Sequence, residues 1–346
     1  MKKLLRLCLV VASVAGLATV ALVSKEAAPA GTQMADAADK FIASLSDEQK
    51  KKLFFDFDDK HRLGWFFTPQ QDSKAMTYTR KGLRFEELND EQRKLALELL
   101  KTGTSKSGYN QAVTIMSLES ILKESEPKKS GGMIRNPEWY FVSIFGKPSK
   151  TGKWGWRFEG HHLSVNFTLD RGQLSSETPF MFGANPAEVK AGMKKGRRTL
   201  PEIEDLAREL IKSLDADQMK VTWQGEKQFP EIAENTPAAK PGEPVGISGA
   251  KLGDKQKELL MKLIKAYTDR MPDAVGSMEY AAVKDAGLDK VHFAYAGDPT
   301  PGKGYSYRVH GASFLVEFLN VQADGSGNPA NHIHSVWRHL PSDFGL

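Results

Sequence analysis

The chain carries an internal duplication, so any fold proposed for it is built from two similar units. "GLRFEELNDEQRKLALELL" (82–100) aligns without gaps on "GISGAKLGDKQKELLMKLI" (246–264), and "WGWRFEGHHLSVNF" (154–167) aligns on "YSYRVHGASFLVEF" (305–318). Just upstream of the second pair, "FGKPSKTGK" (145–153) and "AGDPTPGK" (296–303) both read as Gly-x-Pro turns. Matched segments in the same order are the signature of a repeated supersecondary unit.

Four Leu-x-x-x-Gln signals mark helix starts: Leu45/Gln49, Leu88/Gln92, Leu214/Gln218 and Leu252/Gln256. In three of them Ser46, Asn89 or Asp215 stands three residues before the glutamine, the spacing of a capping box; Gly253 makes the fourth weaker. Leu95, Leu99 and Leu100, and likewise Leu259, Leu263 and Ile264, follow at helical spacing. Val113, Met116, Ile121 and Leu122 predict a second helix, mirrored by Met278, Ala282 and Val283. Each unit therefore predicts helix, helix, strand, Gly-Pro turn and long strand.

Repeat one spans 41–169 and repeat two 208–320, with an unmatched connecting segment at 170–207 and a C-terminal hairpin strand and tail at 321–346. In the connecting segment "PFMFGANPAEV" predicts a strand and then an Asn-Pro-led helix start, and a further helix begins at Pro201. "FPEIAENTPAAKPGEPVG" (229–246) is a Pro-rich connector, expected to run as a surface strap. The fold class is α+β: two pseudo-symmetric repeats of helices packed on antiparallel β-sheet.

The N-terminus predicts export. Lys2, Lys3 and Arg6 precede an apolar run from Leu7 to Val23, the layout of a secretory signal peptide over 1–24, followed by a polar segment at 25–40. The expected destination is periplasmic or secreted; retention of the run as an uncleaved anchor is the one route to a membrane. The only cysteine, Cys8, falls inside the signal, which excludes disulfides and thiolate metal sites from the mature chain. Losing Lys2, Lys3 and Arg6 lowers the formal net charge from +5 to +2. The remaining lysine and arginine pairs are interleaved with acids and lack a companion row of aromatics, so no nucleic-acid partner is expected.

Histidine placement is the strongest functional signal. Alternation along a strand puts Gly160, His162, Ser164 and Asn166 on one face of repeat one, with Glu159, His161, Leu163, Val165 and Phe167 opposite. In repeat two, Glu317 lies on the polar face, opposite His310, Ala312 and Phe314. A returning strand, "NHIHSVWRHL", sends His332 and His334 one way and Ile333 and Trp337 the other. If Ile333 and Trp337 pack inward, His332, His334 and Glu317 share a polar face, and pseudo-symmetry brings His162 across from the first half. Neutral imidazoles with a carboxylate suit zinc, iron, copper or manganese. An organic ligand pocket and plain structural hydrogen bonding are the alternatives for the same group. Glu159, His161 and His310 are further candidates for the pocket lining. For His61, His292 and His339 a hydrogen-bonded core role is expected.

Arg308 and Arg338 are the candidate catalytic arginines, able to grip an anionic small-molecule substrate bidentately, although a duplicated salt bridge explains Arg157 and Arg308 as well. No Gly-x-Ser-x-Gly elbow, HExxH helix or phosphate-cradling glycine loop is present.

"WRFEGHHLSVNF", "FMFGANPAEV", "YRVHGASFLVEF" and "HIHSVWRHLPSDFG", in that order, make the chain resemble the domain-of-unknown-function 3500 family. The resemblance covers nearly all the mature chain. It implies an exported bacterial protein and motif membership for His161, His162, Glu317, His332, His334 and Arg338, and it lends no activity. It also leads us to expect a short helical tail beyond "DFGL". Two functions follow as expectations: a metal-dependent enzyme, best a hydrolase, or a non-catalytic binding protein whose two repeats clasp a small ligand in a cleft lined by Trp154 and Trp156 or by Tyr305 and Tyr307. A structural envelope protein is the third class, marked by a surface apolar patch without a pocket.

Overall fold

A computed structural model describes residues 29–126 and 133–346. The predicted signal peptide lies outside the described residues. Among those described, no helix is long and apolar enough to cross a membrane.

Helices α1 (Ala30–Ala43), α2 (Asp47–Leu53), α3 (Asp90–Thr102) and α4 (Lys106–Ser125) precede the first long strands; α5 (Pro201–Lys212), α6 (Ala216–Thr222), α7 (Asp254–Thr268) and α8 (Asp273–Ala286) precede the last ones. The strands are β1 (Phe54–Phe55), β2 (Gln71–Asp72), β3 (Thr77–Tyr78), β4 (Leu83–Arg84), β5 (Phe141–Phe145), β6 (Lys153–Gly160), β7 (Leu163–Asp170), β8 (Gln173–Ser176) and β9 (Phe180–Phe182). They continue with β10 (Ile247–Ser248), β11 (His292–Gly297), β12 (Tyr305–His310), β13 (Phe314–Gln322) and β14 (His332–His339). Twelve of them form one mixed sheet in the order β1-β5-β6-β7-β9-β14-β13-β12-β11-β10, with β4 on β5 and β8 on β7; β2 and β3 pair separately. The architecture is α+β.

The predicted capping boxes form at Ser46/Gln49, Asn89/Gln92 and Asp215/Gln218, while Gly253 supplies only its N–H to Gln256 Oε1 at 2.8 Å. These glutamines also join helix starts to one another. Gln49 pairs with Gln92 and Gln218 with Gln256, and each partner reaches a carbonyl: Gln92 Nε2 donates to Ser44 O and Gln256 Nε2 to Ser213 O. One side chain thus satisfies its own helix N-terminus and ties it to a neighbour.

Three sequence expectations change. The long strand expected at 154–167 is a hairpin, β6 and β7, whose two turn residues are His161 and His162; 305–318 divides in the same way into β12 and β13. Because a turn resets the alternation, Glu159 faces Ser164 across the ladder and shares the polar side with Arg157 and Asn166. The Asn-Pro segment after β9 starts no helix; Asn185–Pro186 is a cis peptide in irregular chain. The segment read as polar at 25–40 carries α1 from Ala30, and Met34, Ala35, Ala38 and Phe41 of that helix are buried.

The two faces of the sheet have different covers. Trp154, Trp156, Phe158, Val165 and Phe167, with Tyr305, Tyr307, Phe318 and Trp337, belong to the main core with the helices. Stacked cross-strand pairs hold each hairpin: Trp156 on Phe167 at 4.3 Å and Tyr307 on Phe318 at 4.5 Å between centroids. The aromatic rings expected to line a ligand cleft are therefore core residues, none more than 1 % exposed. On the other face a second core forms from Trp65, Phe67, Met181, Ile232, Leu319, Val336 and Phe344. Two straps, 56–69 and the Pro-rich 229–246, bring Trp65, Phe67 and Ile232 against the strand residues Met181, Leu319 and Val336. Trp65 Nε1 donates to Thr236 O, Glu234 accepts from Phe67 N and Thr68 N, and Arg157 donates to the carbonyls of His61, Arg62 and Gly64.

The halves of the sheet join through β9, which pairs with β7 on one edge and β14 on the other. Gly183, next in sequence, donates to His162 O at 2.8 Å, and Ala184 exchanges both backbone bonds with Ile333. A Cβ on Gly183 would stand 2.6 Å from Ile333 O and 2.8 Å from His162 Cδ2. Gly183→Ala should therefore cost about 1–3 kcal/mol of stability through overpacking, read as a lower urea midpoint with an unchanged m-value.

Candidate metal centre

The seam at β9 brings together side chains that are far apart in sequence. His162 stands on the β6–β7 turn with φ +63°, in the left-handed region that a residue with a Cβ enters at a cost of about 1–2 kcal/mol. Two bonds hold it there: its N–H donates to Phe67 O at 2.8 Å and its carbonyl accepts from Gly183. His332 and His334 open β14 on the strap-covered face, since Ile333 between them packs in the main core. Asn320 Oδ1 accepts from His332 N at 3.0 Å, and the edge of Phe67 packs on the His334 ring at 4.8 Å.

The three Nε2 atoms converge. His162 Nε2 lies 2.7 Å from His332 Nε2 and 3.1 Å from His334 Nε2, and the last two are 3.1 Å apart. Nitrogens bound to one ion at 2.0–2.1 Å stand about 2.9 Å apart at right angles and about 3.3 Å apart in a tetrahedron. Their ring centroids would be about 4.5–5.2 Å apart; the observed separations are 4.7, 5.1 and 4.8 Å. Rings and nitrogens thus radiate from a common point as ligands do.

Two of the three rings have a polar partner outside the triangle. His334 Nδ1 lies 2.9 Å from Glu231 Oε1, which makes Nδ1 the protonated nitrogen and leaves the Nε2 lone pair facing inward. The Ala323 backbone hydrogen-bonds the His332 ring. Carboxylate or carbonyl support behind a ligating imidazole is the usual second layer of a metal site.

His161 is different. A ligand atom of its ring lies within 4.8 Å of those of His162 and His332, but the ring sits 3.8 Å from that of His162, too close for two imidazoles on one ion. Its Nδ1 is hydrogen-bonded to Glu119, and Arg135, held by Glu126 at 2.6 and 2.7 Å, approaches the same nitrogen at 3.4 Å. We therefore take His162, His332 and His334 as the triangle and His161 as its neighbour.

The remaining sequence candidates lie elsewhere. Glu317 pairs across the strands with Arg308 at 2.8 Å, and Arg308 also lies over the Phe229 ring. Arg338 is fully buried, bound to Asp343 at 2.6 and 2.8 Å and to the carbonyls of Ala233 and Thr236, so no edge of its guanidinium faces solvent. Glu159 accepts from Phe66 N and pairs with Arg80 at 3.1 Å, fastening a strap. His310 stands opposite His292 on the β11–β12 ladder. The carboxylates that do reach the histidines, Glu231 and Glu119, were not read from the sequence. Glu119 had a signal, a carboxylate on the buried stripe of α4 beside Ile115, Leu118 and Leu122; Glu231, in a proline-rich connector, had none.

Burial sets the charge state. It pushes His162 well below the usual imidazole range, helped by His161, His332 and His334, and it brings His332 to about 3, with the neighbouring His334 and His161 adding to the effect. For Glu231 burial pushes upward, but the His334 bond and charge, with the Ile232 N–H, outweigh it and leave the carboxyl below its ordinary value. His162 and His332 are thus neutral at physiological pH, with lone pairs available. In the unfolded chain both would protonate near 6.5, whereas folded His332 resists to about 3. The folded state therefore binds fewer protons across this window, and stability rises with pH there. Acidifying the metal-free protein below about pH 6.5 should cost up to about 1.4 kcal/mol per pH unit for each such histidine. Urea midpoints measured from neutral pH down to about pH 4 should fall; in His162→Gln/His332→Gln the acid slope should flatten, and an unchanged slope would remove this account.

A family model described as a protein of unknown function (DUF3500) matches residues 27–346. No curated protein and no solved structure matches the chain. The match spans the whole sheet, both straps and all three histidines of the triangle, and the chain belongs to the DUF3500 family.

Proposed function

We propose that this is an exported, metal-dependent enzyme of hydrolytic type, with His162, His332 and His334 as the metal ligands. The observation that carries the reading is the triangle of inward-facing Nε2 atoms, with edges of 2.7, 3.1 and 3.1 Å. With their Nε2 lone pairs turned inward, three imidazoles at that spacing would repel one another, and a cation between them would be bound by all three.

The ligand chemistry favours hydrolysis. Three neutral imidazoles leave the charge of a divalent ion uncompensated in its first shell, and such an ion lowers the pKa of bound water to about 7. Held by His162, His332 and His334, a divalent ion would supply activation of a water for attack on an electrophilic carbon or phosphorus. Imidazole sets suit zinc, copper, iron and nickel, and zinc fits a hydrolytic role because it does no redox chemistry. Glu231 orients His334 and offsets part of the ion's charge from the second layer.

Elemental analysis of the untagged, exported protein tests this directly. One equivalent of zinc or another transition metal should be retained at the triangle, and His332→Ala should hold one equivalent less than wild type; no metal after incubation with zinc, iron, copper and manganese would end the proposal. Glu231→Gln should keep the ligands and weaken zinc by about 10–100-fold, as expected for loss of a second-layer carboxylate, measured by competition with a chromogenic chelator.

A further inference from the structure

A second group of metal-ligating side chains lies outside the triangle, and the function proposed above does not use it. His339 ends β14, Glu177 sits between β8 and β9, and Glu279 belongs to α8. His339 Nε2 is 3.2 Å from Glu177 Oε1 and 3.3 Å from Glu279 Oε2, and ligand atoms of all three residues lie within 4.8 Å of one another. Ligand pairs on one ion at 2.0–2.2 Å stand about 3.2 Å apart at angles near 100°.

Glu177 is the informative member. It is only 3 % exposed, and its buried Oε1 has no aligned donor: the group set against it is His339 Nε2 at 3.2 Å, which pairs with it only when that imidazole is protonated. An ionised carboxylate oxygen taken out of water without a donor is costly, and a cation bound between the three residues would satisfy it. The nearby backbone is already engaged, since His339 N donates to Asp343 Oδ1 at 3.1 Å.

We propose that Glu177, Glu279 and His339 form a second, structural site for a divalent cation such as zinc or manganese, fastening α8 to the end of β14 and to the segment that leads into β9. Two carboxylates neutralise the ion, and one imidazole gives the site borderline character. This site differs from the triangle, where the ligands are all neutral.

The test compares the wild-type protein with Glu279→Gln, His332→Ala and the double variant, each loaded with zinc, dialysed and assayed for bound metal and for thermal unfolding. Glu279→Gln should remove about one equivalent relative to wild type while leaving the one at the triangle. His332→Ala should keep about one equivalent, and zinc should raise its melting temperature; the double variant should keep none and show no shift. Manganese should give the same pattern of shifts. If Glu279→Gln binds as much zinc as wild type, or if zinc shifts the melting of His332→Ala and of the double variant equally, the second site is wrong and the cluster is a plain imidazolium ion pair. Failure of the triangle alone leaves a distinct result: His332→Ala then matches wild type while Glu279→Gln still loses its equivalent. Should His332→Ala not fold, the loss in Glu279→Gln decides by itself.

Discussion

The sheet is continuous only because a three-residue strand, Phe180–Phe182, is hydrogen-bonded on both edges, to β7 on one side and β14 on the other. Long hairpins lie on either side of it, β6–β7 and β12–β13, and the straps and helices pack across that join. Its side chains follow the alternation of a strand buried on both faces. Phe180 and Phe182 enter the main core under the helices, while Met181 enters the smaller core under the straps. Gly183 then lets the chain pass between His162 and Ile333 at a distance no side chain would permit. Geometry at the histidine triangle is therefore set largely by backbone pairing at the seam.

The polar face of the sheet is covered by buried arginines acting as brackets. Arg157 holds the first strap through its carbonyls, Arg80 holds the same segment through Phe66 O and Thr68 O, and Arg338 holds the second through Ala233 O and Thr236 O. A planar guanidinium suits this use because several carbonyls in one plane can accept from it at once. Each arginine keeps a carboxylate or amide nearby, Asp343 for Arg338, Glu159 for Arg80 and Asn166 for Arg157, so the buried charge is not left alone. The straps in turn exclude water from one side of the histidines. That exclusion keeps His162 and His332 neutral, the form a metal needs, and Glu231 comes from the same covering segment.

Several features were legible before any coordinates. Capping boxes at Ser46, Asn89 and Asp215 need only local chain, and they form as read. Glutamines at the third helical position were legible as capping groups, but their pairing across helices was not, because it depends on how the helices approach. The alternation on β14 sorted Ile333 and Trp337 from His332 and His334, since a regular strand has a period of two. It failed at 158–167, where a turn interrupts the period. The left-handed position itself is filled by neither Gly nor Asn, the residues that usually announce it, and His162 adopts that conformation because Phe67 and Gly183 clamp it from outside.

By itself, the sequence determined the α+β class, the helix starts and the outward pair His332 and His334, because these follow from spacing along one segment. Tertiary structure alone decided which carboxylates belong to the histidines. Glu317 lies on the expected face, but a cross-strand arginine holds it, whereas Glu231 and Glu119 arrive from a strap and a helix distant in sequence. Ligand clusters of this kind depend on the meeting of segments whose approach is set by sheet order and core packing, and no periodicity along the chain records that approach.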